Sequence, residues 1–275
     1  MQPVSPESNL MTNQNAIFQV AIGQTFREKY QDCLESVRSY ADRIGAHYVR
    51  ACAATLRVTP KQGLRDDRML KKLGYLPIYE KLMGIELLKT YSNVAIIDGD
   101  VFVKPDAPCI FDHQPTGTPF CGVIEQTLPL CPAERIRIRE YSLAQYIPLV
   151  SSHWTRSEMD GIHFYNMGVM LLNSSLLAGI EWTNPRQFIS RPNFEPFVEG
   201  IGEWKHSSDQ TLLNYWIRRQ SVKHARLDWR WNALVGAIPQ HRLAEAYFLH
   251  FFYSKADPST FHKRLGYAMG DQLGA

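Results

Sequence analysis

Residues Val94 to Val103, VAIIDGDVFV, carry two acids inside a run that is otherwise apolar or small. Val94, Ala95, Ile96 and Ile97 leave no polar face. The strand they form must therefore be covered on both sides, which places it in the middle of a sheet. Asp98 and Asp100 follow at once. Side chains two apart on an extended chain point the same way, so the two carboxylates stand side by side where a buried strand runs out into a crevice. Two such acids raise one another's pKa unless a cation lies between them. Hard oxygen ligands suit Mg²⁺ or Mn²⁺ better than zinc. Gly99 removes a side chain between them and lets a ligand approach the backbone. The segment reads as a divalent-cation site that holds a diphosphate. The blander alternative is a D-G hairpin turn, with Val101-Phe102-Val103 as the partner strand.

The chain has 275 residues, 45% of them hydrophobic, enough to bury a substantial core as one large α/β domain. That domain is expected over residues 15–275, behind a disordered tail at 1–14. The formal net charge is +3 and no long basic run is present, which argues against a nucleic-acid partner. Five scattered cysteines include no C-x-x-C pair and read as reduced thiols of a cytoplasmic protein. The longest apolar run, Met167 to Ile180, is broken by Asn173, Ser174 and Ser175, so no transmembrane segment is expected. The polar N-terminus lacks the features of a secretory signal.

The opening reads strand, helix, strand: Ala16 to Gly23, then Phe26 to Ile44 stopped by Gly45, then His47 to Ala51. That order is the mark of a parallel sheet. Pro77 suits the first turn of a helix over Ile78 to Tyr91, which feeds the aspartate strand. Phe120 to Glu125 is a short strand. Residues 126–161, with Pro129, Pro132 and Pro148, read as a variable excursion of poor periodicity, of the kind that shapes a substrate side. Asn166 to Asn173 returns to a buried strand. Ser207 to Arg219 has a Ser/Asp helix start and an apolar stripe. Val222 to Leu227 and Tyr247 to Tyr253 are further strands.

Four separated pieces fit one pattern: IIDGDVFV, YNMGVMLLN (Tyr165 to Asn173), SDQTLLNYW (Ser208 to Trp216) and LHFFYSK (Leu249 to Lys255). In that order they resemble the metal-dependent glycosyltransferases of the GT-A fold, most closely glycosyltransferase family 8. The resemblance spans roughly residues 16 to 256. It implies a nucleotide-diphospho-sugar transferase-like α/β fold, a single mixed and mostly parallel sheet flanked by helices. It also implies a nucleotide-sugar donor, usually a UDP-sugar, and transfer with retention of configuration. On the matching positions, Asp98, Asp100 and His250 hold Mn²⁺ (or Mg²⁺), and Lys255 contacts the leaving diphosphate. Lys81 approaches the donor sugar, Asn166 and Gly168 line its pocket, and Asp209 and Gln210 lie beside the reacting carbon. Ala21, Ile22 and Gly23, at the end of the first strand, fall at the nucleotide. Gly99 stands where members commonly carry Ala or Ser, a difference expected to be harmless.

The residues support that chemistry in their own right. Charge builds on the diphosphate as the sugar bond breaks, and a dication with a nearby Lys offsets it. Oxocarbenium character on the sugar calls for a carboxylate or amide oxygen, which Asp209 or Gln210 can supply. Blander roles exist for each: Asp209 as a helix cap shared with Ser207 or Ser208, His250 as a core histidine, Lys81 and Lys255 as solvated charges. Phe26 and Tyr30 read as helix packing before base stacking, and Trp229, Trp231 and Asn232 as closing the core near the site. The alternative functions are a metal-dependent nucleotidyltransferase and a non-catalytic nucleotide-sugar-binding protein on the same fold. The acceptor, whether glycan, lipid-linked sugar, small molecule or protein, is not specified by any motif.

Overall fold

The computed structural model describes residues 14–62, 65–149, 154, 156–179, 183–202, 204, 207–252, 256 and 258. The segment read as a disordered tail lies, up to residue 13, outside them. Strands Asn15–Val20 (β1), His47–Ala51 (β2) and Asn93–Ile97 (β3) run parallel, with β1 in the centre. Helices Gln24–Lys29 (α1) and Gln31–Arg43 (α2) connect β1 to β2. Val101–Val103 (β4) and Phe120–Ile124 (β5) follow, then the helix Pro132–Tyr146 (α3) and the long strand Tyr165–Asn173 (β6). Asp209–Arg219 (α4), His224–Arg226 (β7), Ala233–Leu234 (β8) and Phe248–His250 (β9) complete the elements that matter for the site.

Six strands form the main sheet in the order β2-β1-β3-β6-β5-β7. Only β6 runs against its neighbours, so the sheet is mixed and mostly parallel, with helices on both faces. The reading of β3 as doubly buried holds residue by residue. Val94 and Ile96 pack with Phe18, Leu82, Ile85 and Trp216 on one face. Ala95 and Ile97 pack with Val37, Tyr40 and Phe248 on the other. Strand alternation divides them between the two cores.

Three elements depart from expectation. The first helix breaks at Tyr30, whose backbone (φ −111°, ψ 24°) leaves helical geometry between α1 and α2. The expected helix over 78–91 is instead two 3₁₀ segments, Pro77–Leu82 and Leu87–Lys89, around a single α turn, Met83–Glu86. Its buried residues Tyr79, Leu82, Ile85 and Leu88 recur every third position, a period that suits three residues per turn better than 3.6. Gly84 lets this segment lie close on the sheet, since a Cβ there would sit 2.7 Å from both Ile96 and Phe18. Finally, the excursion over 126–161 contains α3. Pro132 starts that helix, where a proline costs nothing. Its buried side chains are few and partly polar (Ile138, Ser142, Gln145, Tyr146), which hides the periodicity.

A second, three-stranded sheet, β8-β9-β4, stands beside the first. Strand β4 is thus not the hairpin partner of β3. It pairs antiparallel with β9, setting His250 opposite Val101. All five cysteines are free thiols. No helix among the described residues is long and apolar enough to cross a membrane.

The 3₁₀ turn that carries Lys81 is fixed from behind by its neighbour Glu80, which is 1% exposed. The Glu80 carboxylate accepts hydrogen bonds from the backbone N–H groups of Thr55, Leu56 and Arg57 at 2.9, 3.0 and 2.6 Å. Arg57, at φ +48°, is held in the left-handed region by this cradle. Glu80→Gln points an amide donor at those donors. It is expected to lower stability by about 2–3 kcal/mol, read as a lower urea midpoint at unchanged m value. An unchanged midpoint would show that the cradle carries no weight.

Candidate functional site

Asp98 and Asp100 lie on the turn between β3 and β4, not on the strand itself. The backbone of the turn is fixed on each side. The Asp98 N–H donates to Gly168 O (2.8 Å), its C=O accepts from Gln19 Nε2 (3.1 Å), and the Phe251 N–H donates to Asp100 O (3.0 Å). The latter bond extends the β4–β9 pairing and brings His250 alongside. One ligand atom from each of Asp98, Asp100 and His250 lies within 4.8 Å of the others. Gly99 is required for a reason the sequence did not show. A Cβ there would fall 2.7 Å from Val20 O and from the Phe26 ring. The space belongs to the protein, not to a ligand, and Ala at this position is not harmless.

The imidazole of His250 is buried, and its Nε2 has no hydrogen-bond partner, although it lies 3.3 Å from Asp100 Oδ1. Burial opposes charge on this ring, but the Asp100 carboxylate outweighs it and raises the His250 pKa. In return, burial would raise Asp100, and the imidazole overrides it and lowers the carboxyl. Asp98 moves up instead, driven first by burial and then by Asp100 and Asp209, against the pull of Lys81. A buried, unpartnered imidazole nitrogen facing two carboxylates is a donor set that fits a Mg²⁺ or Mn²⁺ ion.

Lys81 stands on the other side of Asp98. Its ammonium contacts Asp98 Oδ1 at 2.8 Å, Asp209 Oδ2 at 2.7 Å and Met167 O at 3.1 Å. An ammonium has three hydrogens, and three acceptors take them. Burial works against its charge, but Asp209 and Asp98 overcome that and hold the pKa above the ordinary lysine value. Lys81 therefore ties the two acids together.

Asp209 can serve Lys81 because Ser208 caps α4, in a capping box with Thr211. Gln210 accepts from the Met167 N–H at 3.2 Å. Asn214, fully buried, grips both backbone groups of Tyr165 at 2.8 Å. These bonds are needed because β6 breaks register with β5 here: Gly122 faces Met170, yet Val123 faces Asn166. The freed backbone groups of a bulge must find partners elsewhere. Gln210 and Lys81 take those of Met167; Asn166 Oδ1 and the Asp98 N–H take those of Gly168.

Asn166 and Gly168, expected beside the donor sugar, sit behind His250. A Cβ on Gly168 would fall 2.3 Å from the His250 ring, so this glycine makes room for the imidazole. Asn166 is 4% exposed and spends its amide on Gly168, Asn232 and Glu125. Ala21, Ile22 and Gly23 follow β1, whose parallel pairing with β3 sets them on the same edge of the sheet as Asp98. Lys255 lies outside the described residues. Phe26 and Tyr30 pack on each other, rings 4.8 Å apart, and Trp231 is core.

Two buried polar residues of this neighbourhood stand out in the structure: Asn232, expected only to close the core near the site, and Glu125, which has no role in the sequence reading. The signal for Glu125 was a carboxylate at the end of a buried strand, the same signal that marks Asp98. Burial raises its pKa to about 6, with the Asn166 amide pulling the other way. The fold thus prefers the protonated acid. Its contribution is fully present below about pH 4.5 and is lost as pH rises through about 6. A shift of that size is worth about 2 kcal/mol. Glu125→Gln should therefore gain about 2 kcal/mol on the natural protein between pH 4.5 and pH 8, read by urea denaturation at each pH. A pH-independent difference would contradict this.

No family model matches the sequence, and no curated protein matches it. Solved structures do match its fold. A glycosyltransferase involved in glycosylation of the major capsid of PBCV-1 aligns at 14% identity and TM-score 0.50, covering 91% of this chain and 98% of that one. The galactosyltransferase LgtC, solved in complex with donor and acceptor sugar analogs, aligns at 14% identity and TM-score 0.50, covering 94% and 98%. The glycosyltransferase GlyE of Streptococcus pneumoniae TIGR4 aligns at 12% identity and TM-score 0.50, covering 92% of this chain and 61% of that one. The mixed, mostly parallel sheet flanked by helices is accordingly the fold of the GT-A glycosyltransferases.

Proposed function

We propose that this chain is a glycosyltransferase that moves a sugar from a nucleotide-sugar, a UDP-sugar by the family 8 resemblance, to an acceptor, with retention of configuration. Asp98, Asp100 and His250 hold the divalent cation, Mn²⁺ or Mg²⁺. The observation that carries the reading is the His250 Nε2: buried, without a hydrogen-bond partner, and aimed at two carboxylates. The glycosyltransferase neighbours in fold support it.

When bound, the cation offsets the charge that grows on the departing diphosphate. The chain's own groups do the rest. Lys81 pairs with Asp98 and Asp209 while Asp100 stands beside His250, so with neutral His250 the described side chains of the site carry net negative charge, which favours a dication. The Lys81 bridge fixes Asp209 at the start of α4, and Gln210 is fixed by Met167. Held in this way, Asp209 and Gln210 are preorganised to face the anomeric carbon, where an oxygen stabilises developing positive charge. The excursion around α3 is assigned to acceptor choice.

Three outcomes test the proposal. Donor hydrolysis should require Mn²⁺ or Mg²⁺ and stop with a chelator. Asp100→Asn should retain the fold by circular dichroism but lose about 100-fold or more in turnover. Full activity in either case would end the assignment. Across a panel of nucleotide-sugars with Mn²⁺, the true donor at 100 times its Kd should stabilise the protein by about 2.7 kcal/mol in thermal unfolding. Equal stabilisation without the metal would favour binding through the protein alone.

A further inference from the structure

Behind His250 a line of buried amides runs to Glu125, and its polarity is set at one point. Asn166 Oδ1 accepts from the Gly168 backbone N–H at 2.9 Å and from Asn232 Nδ2 at 2.8 Å. A backbone N–H can only donate, so the Asn166 oxygen must face it; the amide cannot be turned over. The Asn166 amide nitrogen then points away, toward Glu125 Oε2 at 3.2 Å. Asn232 must in turn present its nitrogen to Asn166, which leaves its oxygen facing His250 Nδ1 at 2.9 Å. Only a protonated Nδ1 is compatible with that contact. The opposite tautomer would set two lone pairs against each other at this contact; on the far side of the ring the bare Nε2 faces the Asp100 carboxylate at 3.3 Å, an arrangement that a cation between them relieves.

From this we infer that Asn232 is a positioning residue. Oriented by the Gly168 backbone through Asn166, it holds neutral His250 in the tautomer that keeps its proton on Nδ1. The Nε2 lone pair is thereby turned toward Asp98 and Asp100. The inference rests on the cation site proposed above and names what prepares one of its ligands. Asn232 is 0% exposed and lies between core Trp231 and β8, the strand that pairs with β9. An apolar side chain would be the cheaper occupant of such a position. A hydrogen-bonded partner on the far nitrogen of a ligating histidine fixes ring orientation and tautomer, and its loss costs about 10–100-fold in metal affinity.

The test begins with the metal-free natural protein, ¹⁵N-labelled at histidine, above the pH range in which the His250 ring titrates. Long-range ¹H–¹⁵N correlation, with the ring assigned by its disappearance in His250→Gln, should show Nδ1 protonated and Nε2 bare. A proton on Nε2 overturns the inference, whatever the metal does. Mn²⁺ affinity is then measured by electron paramagnetic resonance on two variants. Asn232→Asp keeps an acceptor for Nδ1–H while giving up the bond to Asn166 Oδ1, and should lose clearly less Mn²⁺ affinity than the leucine variant. Asn232→Leu should bind about 10–100-fold more weakly. Equal loss in both means a structural role only, and overturns it. If the ring shows the expected tautomer but the natural protein binds no Mn²⁺, the cation site fails while the amide line stands. Should either variant fail to fold, the spectrum of the natural protein still decides.

Discussion

Asp100 and His250 are far apart in sequence and meet because β4 and β9 pair antiparallel, with the Phe251 N–H closing onto the Asp100 carbonyl. Everything proposed for the site depends on that short ladder. The main sheet can place Asp98 and Asp100 at its edge without help, since β3 is locked between β1 and β6. It cannot supply the third ligand. The small sheet β8-β9-β4 does so, and its strand β8 leads straight out of Asn232. One strand, β9, thus brings the imidazole to the aspartates on one side and to its orienting amide on the other.

The electrostatics follow from the same convergence. Among the described residues Asp98, Asp100, Asp209, Lys81 and His250 converge, and their shifts differ in cause: burial moves Asp98 upward, while Asp100 and His250 move down and up through each other. Lys81 neutralises the Asp98–Asp209 side through contacts of 2.8 and 2.7 Å. On the other side Asp100 is paired among the described residues with the His250 imidazole, the group that would turn its Nε2 lone pair to a dication. A buried ion cluster of this kind is weak evidence for stability. Its value here is in geometry, because it fixes Asp98 and Asp209 relative to each other.

Much of this was readable from residue patterns, for identifiable reasons. Buried strands with no polar face, such as 94–97 and 166–173, declare themselves through composition alone. Gly45 ends α2 with φ +68°, as its position after Ile44 suggested. The i+3 spacing of Tyr79, Leu82, Ile85 and Leu88 is present in the sequence but also places side chains on one face of an α-helix, so it does not separate the two helix types. Helix α3 was hidden because half of its buried face is polar. Glu125 has no role in the sequence reading, and Asn232 only that of closing the core near the site, because their meaning is tertiary. Each is a single polar residue in an apolar setting until Asn166 joins them, and that juncture depends on a register break in β6. Gly99 reads from sequence as an opening for a ligand; it and Gly168 both make room for the protein's own atoms.

The most direct measurement is a crystal of the protein soaked in Mn²⁺, with anomalous difference density collected at the manganese edge. The account predicts one strong peak coordinated by Asp98 and Asp100 oxygens and by His250 Nε2, with Asn232 still bonded to Nδ1. A peak elsewhere, or none at this cluster while the protein retains sugar-transfer activity, would contradict it.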